Sequence, residues 1–533
     1  MTVLSEFLLL AALAAPQDLV LDGATVHTGT SAPWRGPVVV RGGRIQPPGT
    51  PAPEGARVLA LRGAHVYPGL VDAHAHVMGL GAGLETVDLV GTRSFAEVVA
   101  RVAERARTTA KGEWILGRGW DQNDWDQKAF PSHAALSAAL PDHPVLLTRI
   151  DGHAALANAR AMAICGVSEV TKAPSGGEIV HDEQGRPTGV LVDTAMGLVQ
   201  RHLPAPTRDQ RLRRLRAALD ACVAAGLTQV HDAGVPPEDV ALYRELHSRR
   251  ELKLRVYVML PESAEAEIRK GPWGTPDQLL IVRAVKGYAD GALGSRGAAL
   301  LEPYSDRSGF KGLMIAPRAR VQQVAQLCAD AGFQLCVHAI GDRANREVLD
   351  AFAATTFPDG REGARFRVEH AQVVAAADFV RFRELAVLPS MQPTHLTSDM
   401  PWAPERLGPE RVLGAYAWRS FLALGLPVAF GSDFPVESHD PRLGLYAAVT
   451  TRPGPGAEPL RRDQILSREE ALRGFTLDAC HAAFLERELG TIEAEKRADL
   501  TVFDRDLLSC PEDEIRSARV LATVVGGRVV HTP

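Results

Sequence analysis

Eight short apolar segments recur between residues 64 and 433, and most are followed by a stretch with helical periodicity. They read AHVYPGLVDAHAH (64–76), LTQVHDAG (227–234), KLRVYVML (253–260), IVRAVKGYADG (281–291), FQLCVHAIGD (333–342), RFRVEHAQ (365–372), AVLPSMQP (386–393) and LPVAFGSD (426–433). Arg211–Ala225 and Arg318–Ala331 are two of the helical stretches between them. Strand alternating with helix is the pattern of parallel βα units. Eight such units close into a (β/α)8 TIM barrel, whose reactive groups lie at the C-terminal ends of the strands. The expected class is therefore α/β, with the barrel and what hangs on it over residues 65–487.

Two further blocks flank that rhythm. DLVLDGATV, GPVVVRGGRI and ARVLALRGAHV near the start, and ADLTVFDRD and VLATVVGGRVV near the end, alternate apolar residues with Gly-rich turns. That is antiparallel β-structure, and neither block is large enough to stand alone. Residues 18–64 and 488–533 are expected to pair into one small β-sandwich. The first and second barrel segments are separated by residues 77–226, far more than a crossover helix requires. An insertion of about 80–210 is expected there, holding helical SFAEVVARVAERART, GRGWDQNDWDQ and a hairpin, GEIVHDEQGRPTGVLVD, turning at Gln184–Gly185. An insertion after the first strand would overhang the catalytic face as a lid or a substrate-shaping domain.

Bulk properties exclude several classes. A net charge of −5 gives no basic footprint for nucleic acid. No P-loop pattern for phosphate occurs. The six cysteines are scattered without a C-x-x-C, which is the usage of a reduced protein rather than a disulfide framework. Phe7–Ala15 is an apolar run resembling the core of a signal peptide. It lacks a preceding Lys or Arg, carries Glu6 before it, and is far shorter than the roughly 20 residues of a membrane span. Residues 1–17 are read as a signal-like or disordered start, and a cytoplasmic location is expected unless residues 1–15 direct export. The expected partner is a small-molecule substrate, with no nucleic acid and no membrane; a homodimer is compatible with this reading.

The chemistry concentrates at the segment ends. His74 and His76 stand two apart at the end of the first, and residues i and i+2 of a strand face the same way. Lys286, His338, His370 and Asp433 each end another segment. Four histidines and an aspartate at one level of a barrel suit a divalent metal: Zn²⁺ first, with Mn²⁺, Fe²⁺, Co²⁺ or Ni²⁺ as alternatives. His231 and Asp232 end the second segment and either reach the mouth or cap the strand. Asp342 opens a helix and reads as its N-cap. Arg296 follows the fourth segment as a candidate partner for a substrate anion or carbonyl, and Trp120 and Trp125 are candidates for an apolar pocket lining or for core.

PGLVDAHAH, VHAIGDRAN, VEHAQ and GSDFPVE resemble the amidohydrolase superfamily. GWDQNDW, DGHAALANARAM, GGEIVHDEQGRPTGVL and KGYADGALGSRGA narrow the resemblance to amidohydrolase family 3, the YtcJ-like and N-substituted formamide deformylase-like group. It runs from about residue 18 to residue 530. It implies a binuclear centre, with His74, His76 and Asp433 on one metal, His338 and His370 on the other, and a CO2-carboxylated Lys286 bridging them; the alternatives are a single ion on some of these ligands and a Lys286 that only forms a salt bridge at its strand end. It also implies that Arg149, Asp151 and His153 face the substrate. The implied reaction is hydrolysis of an amide-type C–N bond with Asp433 as general base. A heterocycle deaminase is the competing enzyme reading, and it lacks the glutamate acid it would need beside His338. A non-catalytic interaction protein of the same fold is the third, and such chains lose ligands that are all present here.

Overall fold

The computed structural model describes residues 18–150, 152–358 and 360–533. The apolar run at the start and Asp151 therefore lie outside the described residues. The chain divides into two compact units, one of Leu80–Ala217 and the other carrying the described residues up to Gly79 together with Ala218–Pro533.

The larger unit is built on eight parallel strands: β1 (Leu70–Ala75), β2 (Leu227–Ala233), β3 (Arg255–Pro261), β4 (Leu280–Tyr288), β5 (Gln334–Ala339), β6 (Arg367–His370), β7 (Leu388–Met391) and β8 (Ala429–Phe430). They are hydrogen-bonded in chain order from β1 to β8. The ring approaches closure where the β8 end meets β1: Asp433 N donates to His74 O at 2.8 Å and His76 N to Phe434 O at 2.9 Å. Gly431 permits this approach, because a Cβ there would lie 2.5 Å from the His74 backbone nitrogen. Asp72, fully inside, takes Ser432 N and Oγ at 3.0 and 2.6 Å and so fastens the same seam from the other side.

The segment 64–76 is not one strand. It splits at Gly69, with His65–Pro68 antiparallel to Leu500–Phe503 and Leu70–Ala75 entering the barrel. Gly69 is required at the crossing, where a Cβ would meet the Thr228 side chain at 2.3 Å. His65–Pro68 belongs to a six-stranded sheet that mixes the chain ends, in the order Arg528–His531, Val520–Val525, Leu500–Phe503, His65–Pro68, Thr25–Val26, Trp34–Arg35. A four-stranded sheet of Arg44–Ile45, Val38–Arg41, Leu19–Asp22 and Arg57–Ala60 shares its core, with Leu19, Leu21, Val38 and Val40 packing among Val66, Leu500, Val502 and Val524. Arg255, at the start of β3, gives a bidentate pair of bonds to Asp499 at 2.7 and 2.9 Å, both groups buried. Such a planar fork fixes the small domain's angle on the barrel as well as adding energy.

The second unit has its own six-stranded sheet, in the order Gly177–His181, Pro187–Asp193, Ala154–Ala157, Val145–Arg149, Ile115–Trp120, Val87–Asp88. Its helix Phe95–Ala106 starts where Ser94 Oγ accepts Glu97 N at 3.2 Å, and it buries Val98 and Val102 one turn apart. The hairpin turns over Asp182–Arg186, with Gly185 at φ +77° and the Asp182 carboxylate accepting the Gln184 and Arg186 amides. All six cysteines are free thiols. No helix among the described residues is long and apolar enough to cross a membrane.

Candidate metal centre

The barrel strands bring His74, His76, Lys286, His338, His370 and Asp433 together at their C-terminal ends. His76 Nε2 stands 3.2 Å and His74 Nε2 3.6 Å from Asp433 Oδ1. The His370 ring lies 5.0 Å from His74 and 4.6 Å from His338, centre to centre. Lys286 Nζ is 3.2 Å from His74 Nε2 and almost wholly buried, at 1 % exposure.

What each imidazole does with its other nitrogen determines what the cluster can bind. His74 Nδ1 faces Glu369 Oε2 at 2.5 Å. Burial alone would raise the Glu369 carboxyl, but Arg367 and His74 hold it well below the ordinary range, so it is an acceptor and His74 carries the proton on Nδ1. His76 Nδ1 donates to the Ala233 carbonyl at 3.1 Å. His370 Nδ1 faces the Gln392 amide oxygen at 2.8 Å. Each ring therefore has its proton on Nδ1 and its lone pair on Nε2, that of His74 facing Lys286 Nζ, the arrangement that outer partners impose on ligating histidines. Burial first, then the Lys286 charge, push His74 down to about 4 and His338 to about 3, which keeps both neutral.

These lone pairs converge on an anion. Asp433 Oδ1 is buried without a hydrogen-bond partner, as are His338 Nε2 and His395 Nε2. Burial opposes the charge on Asp433, but His76, His74, His370 and His395 outweigh it and hold the carboxyl far below the usual range. Two acceptors 3.2 Å apart repel unless a cation sits between them. A proton on His76, whose pKa burial would lower but Asp433 raises, satisfies only that pair. A tetrahedral ion with bonds of about 2.0–2.1 Å has ligand–ligand edges of about 3.3–3.4 Å. The two Nε2–Oδ1 separations, 3.2 and 3.6 Å, bracket that edge, so the residues fit a divalent cation.

The backbone is strained where it aims these groups. His370, Ala371 and Asp433 have φ of +71°, +41° and +62°, a region side chains other than glycine rarely adopt. Strain of this kind persists only where the surroundings over-determine it, and it clusters at functional sites.

The structure adds residues that the sequence motifs did not expose. His395, on the short helix Pro393–Asp399 after β7, places Nε2 3.8 Å from Asp433 Oδ2 and forms a second ligand-type group with His370 and Asp433. Glu369 and Arg367, both fully buried, form an ion pair at 2.7 Å inside the barrel. Arg367 also donates to Ala73 O and Ser390 Oγ at 2.7 and 2.9 Å. Asp290 lies 3.5 Å from His338 Nε2, its carboxyl raised to about 7 by burial.

The other expected residues are held by protein partners within their own units. His231 is fully buried, its Nδ1 accepting Arg367 Nη1 at 3.0 Å and its Nε2 facing the Gln229 amide at 2.9 Å, so it props Arg367 and does not join the cluster. Asp232 takes Val77 N and the Tyr243 hydroxyl at 2.9 and 2.7 Å, a strand-end clamp. Asp342 is not an N-cap: Gly341 holds that position, and the Asp342 carboxylate instead accepts Leu301 N at 2.9 Å and Arg343 N at 2.9 Å. Arg296 gives its guanidinium to Asp306 at 2.7 Å, which answers its charge without a ligand. In the second unit, Trp120 is core at 1 % exposure, its indole N–H donating to Leu147 O at 2.8 Å, with Trp125 in the same cluster. Arg149 pairs with Asp121 at 2.6 Å, and His153, largely exposed, meets Asp193 at 2.8 Å.

His76 offers the cleaner ligand test, because its side chain is 33 % exposed, whereas removing His74 would also take one of its two partners from the buried Glu369. His76→Ala is expected to lower metal content, read by elemental analysis, and to abolish hydrolysis. Full metal content with lost activity would assign His76 a role other than ligation.

Barrel, small composite sheet domain and histidine–aspartate cluster together define a metal-dependent hydrolase class. A family model described as the amidohydrolase family, Amidohydro_3, matches residues 57–531, and the chain belongs to that family. The putative amidohydrolase YtcJ of Bacillus subtilis is 30 % identical over 89 % of this chain and 90 % of its own. The N-substituted formamide deformylase of Arthrobacter pascens is 28 % identical over 96 % and 98 %, and the Arabidopsis thaliana protein LONG AFTER FAR-RED 3 is 32 % identical over 96 % and 91 %. Among solved structures, a metal-dependent hydrolase from Pyrococcus furiosus superposes with a TM-score of 0.76 at 27 % identity, covering 92 % of this chain and 100 % of that one.

Proposed function

We propose that the protein hydrolyses the C–N bond of a small non-peptide amide, of N-formyl or N-acyl type. The observation that carries this is the ring of Nε2 lone pairs around Asp433, each fixed by an Nδ1–H bond to an outer acceptor. His74, His76 and Asp433 would hold one cation, and His338 and His370, with His395 beside them, a second; zinc suits this donor set first. Divalent cations in such a site polarise a carbonyl and acidify a water toward neutral pKa. Asp433 then accepts a proton from the attacking water and returns it to the departing amine, which is how an amide nitrogen leaves as a neutral molecule. The deformylase relative makes N-substituted formamides the first substrates to try. Glu369 is committed to Arg367 and His74, which argues against its serving as the free acid of a deaminase.

Lys286 is the proposed bridge. Burial lowers its pKa from that of a free lysine, against the opposing pull of the Glu369 and Asp433 charges, which is the direction that CO2 addition requires. A neutral amine adds to CO2, losing a proton to give a carbamate whose two oxygens supply the bridge. Lys286→Ala is expected to lose activity, with partial rescue by short carboxylic acids. A metal-loaded protein in which Lys286 carries no carboxylate, seen with ¹³C-labelled CO2, would overturn the bridge.

The reading as a whole is tested by elemental analysis paired with a screen of N-formyl, N-acyl and cyclic amides. Amine release that disappears on chelation and returns with zinc is the expected result. Fully metallated protein that releases ammonia from heterocyclic amidines, and no amine from any amide, would replace it with deamination.

A further inference from the structure

A second group of ligand-type atoms lies in the composite six-stranded sheet, on residues the barrel chemistry does not use. Thr25–Val26 runs parallel to His65–Pro68, with Thr25 opposite His65. Alternation therefore puts His27, just past its strand, on the same face as His65 and Tyr67. The His27 and Tyr67 rings stack with centres 4.4 Å apart and planes at 3°. Asp506 arrives from the other end of the chain, a few residues beyond Leu500–Phe503, which pairs antiparallel with His65–Pro68. His27 Nε2 is 3.0 Å from His65 Nδ1 and 3.5 Å from Asp506 Oδ1, and the three ligand-type atoms all lie within 4.8 Å of one another.

We propose that His27, His65 and Asp506 form a second metal site, for a divalent transition ion of the zinc class, separate from the barrel centre. The two separations from His27, 3.0 and 3.5 Å, bracket the edge of about 3.3–3.4 Å expected between ligands of a tetrahedral ion, and the His65–Asp506 pair is wider, within 4.8 Å. Two imidazole nitrogens and one carboxylate oxygen are a donor set that zinc, cobalt or nickel accepts and that calcium or magnesium does not favour. The carboxylate is held in place from outside: the Tyr67 hydroxyl and Leu508 N donate to Oδ1 at 2.8 and 2.9 Å, and Ser509 Oγ to Oδ2 at 2.8 Å. Ligating carboxylates are commonly oriented by such bonds. Burial lowers the pKa of both imidazoles, which leaves them neutral and able to ligate at pH 7. Entry is open, since a cavity of about 590 Å³ is lined by His27 and Asp506 together with Thr28, Thr30, Glu469 and Arg473. Water from that cavity completes the coordination. An ion here ties the start of the chain to its end, and because the unfolded chain has no such site, its binding stabilises the fold.

The alternative is a plain hydrogen bond between two histidines, one proton sitting where the ion would. Full-length protein is stripped with chelator, reloaded with Zn²⁺ or Co²⁺, passed through a desalting column and assayed for bound equivalents. His65→Ala is expected to hold one equivalent fewer than the wild type. His65→Gln keeps a side chain that can answer His27 but is a poor zinc ligand, so it separates loss of the ion from loss of the fold and should show the same deficit. The barrel variant His76→Ala should lose ions from the other site, and combining it with His65→Gln should subtract both losses. Equal metal content in the wild type and His65→Gln overturns the site, as does a His76→Ala protein that holds no metal.

Discussion

Asp433→Asn is expected to keep much of its metal while kcat falls by roughly 10²–10⁴-fold, the range usual for losing a general acid–base group. The substitution preserves size and an oxygen donor, so the three outer-bonded histidines still offer their Nε2 atoms. What it removes is the ability to take a proton. Asp433 is held far below the ordinary carboxylate range by the imidazoles around it, so it stays ionised at neutral pH and is a weak base toward free water. It is adequate only toward a water whose own pKa has been brought near neutral. Steady-state kinetics beside elemental analysis on the same preparation separate the two roles. Near-normal turnover with metals in place would move the base elsewhere. His395, at 3.8 Å from Asp433 Oδ2, is the next group to test, and His231 is not, being enclosed between Arg367 and Gln229.

Glu369→Gln is expected to cost about 3–5 kcal/mol of folding stability, the penalty for leaving a buried charge without its partner. Arg367 is fully buried, and Glu369 is the carboxylate that answers it, at 2.7 Å. The same change replaces the anion at His74 Nδ1 with a neutral amide oxygen, which holds that proton less strongly, as the Gln392 amide does for His370. Denaturant unfolding of the apo protein reads the first effect and metal affinity the second. An outer partner of a ligating histidine is worth about 10–100-fold in metal affinity. Replacing both partners together, Arg367→Met with Glu369→Leu, should recover most of the stability and none of the affinity. If Glu369→Gln alone unfolds at wild-type denaturant concentrations, the pair is not the structural tie described here.

The amino-acid sequence by itself determined the barrel and most of the residues that gather at its C-terminal rim. Period-two apolar runs ending in His74, His76, Lys286, His338, His370 and Asp433 are local patterns, and a strand's alternation tells which of its residues share a face. What the sequence could not reach depends on departures from that alternation or on contacts between distant residues. In a regular strand Glu369 and His370 would point to opposite faces. Because His370 sits at φ +71°, Glu369 bonds His74 Nδ1 from within the barrel while the His370 ring also packs 5.0 Å from His74. The chain past Gly431 is similarly turned by Asp433 at φ +62°, and only the seam with β1 gives that turn its purpose. His395 stands on a helix with no spacing to mark it, and it becomes part of the site only because β7 delivers that helix to the mouth. The split at Gly69 belongs to the same kind: one continuous apolar run serves two sheets, because the Thr228 side chain leaves room for nothing larger than glycine where they part. His231 and Arg296 show the converse. Both sit at places where a ligand-facing residue is plausible, and each is claimed by a protein partner, Arg367 and Asp306, that lies in another element. Residue type and spacing fix what a group can do; whether its polar atoms are left open to a ligand is decided by the tertiary contacts that satisfy them.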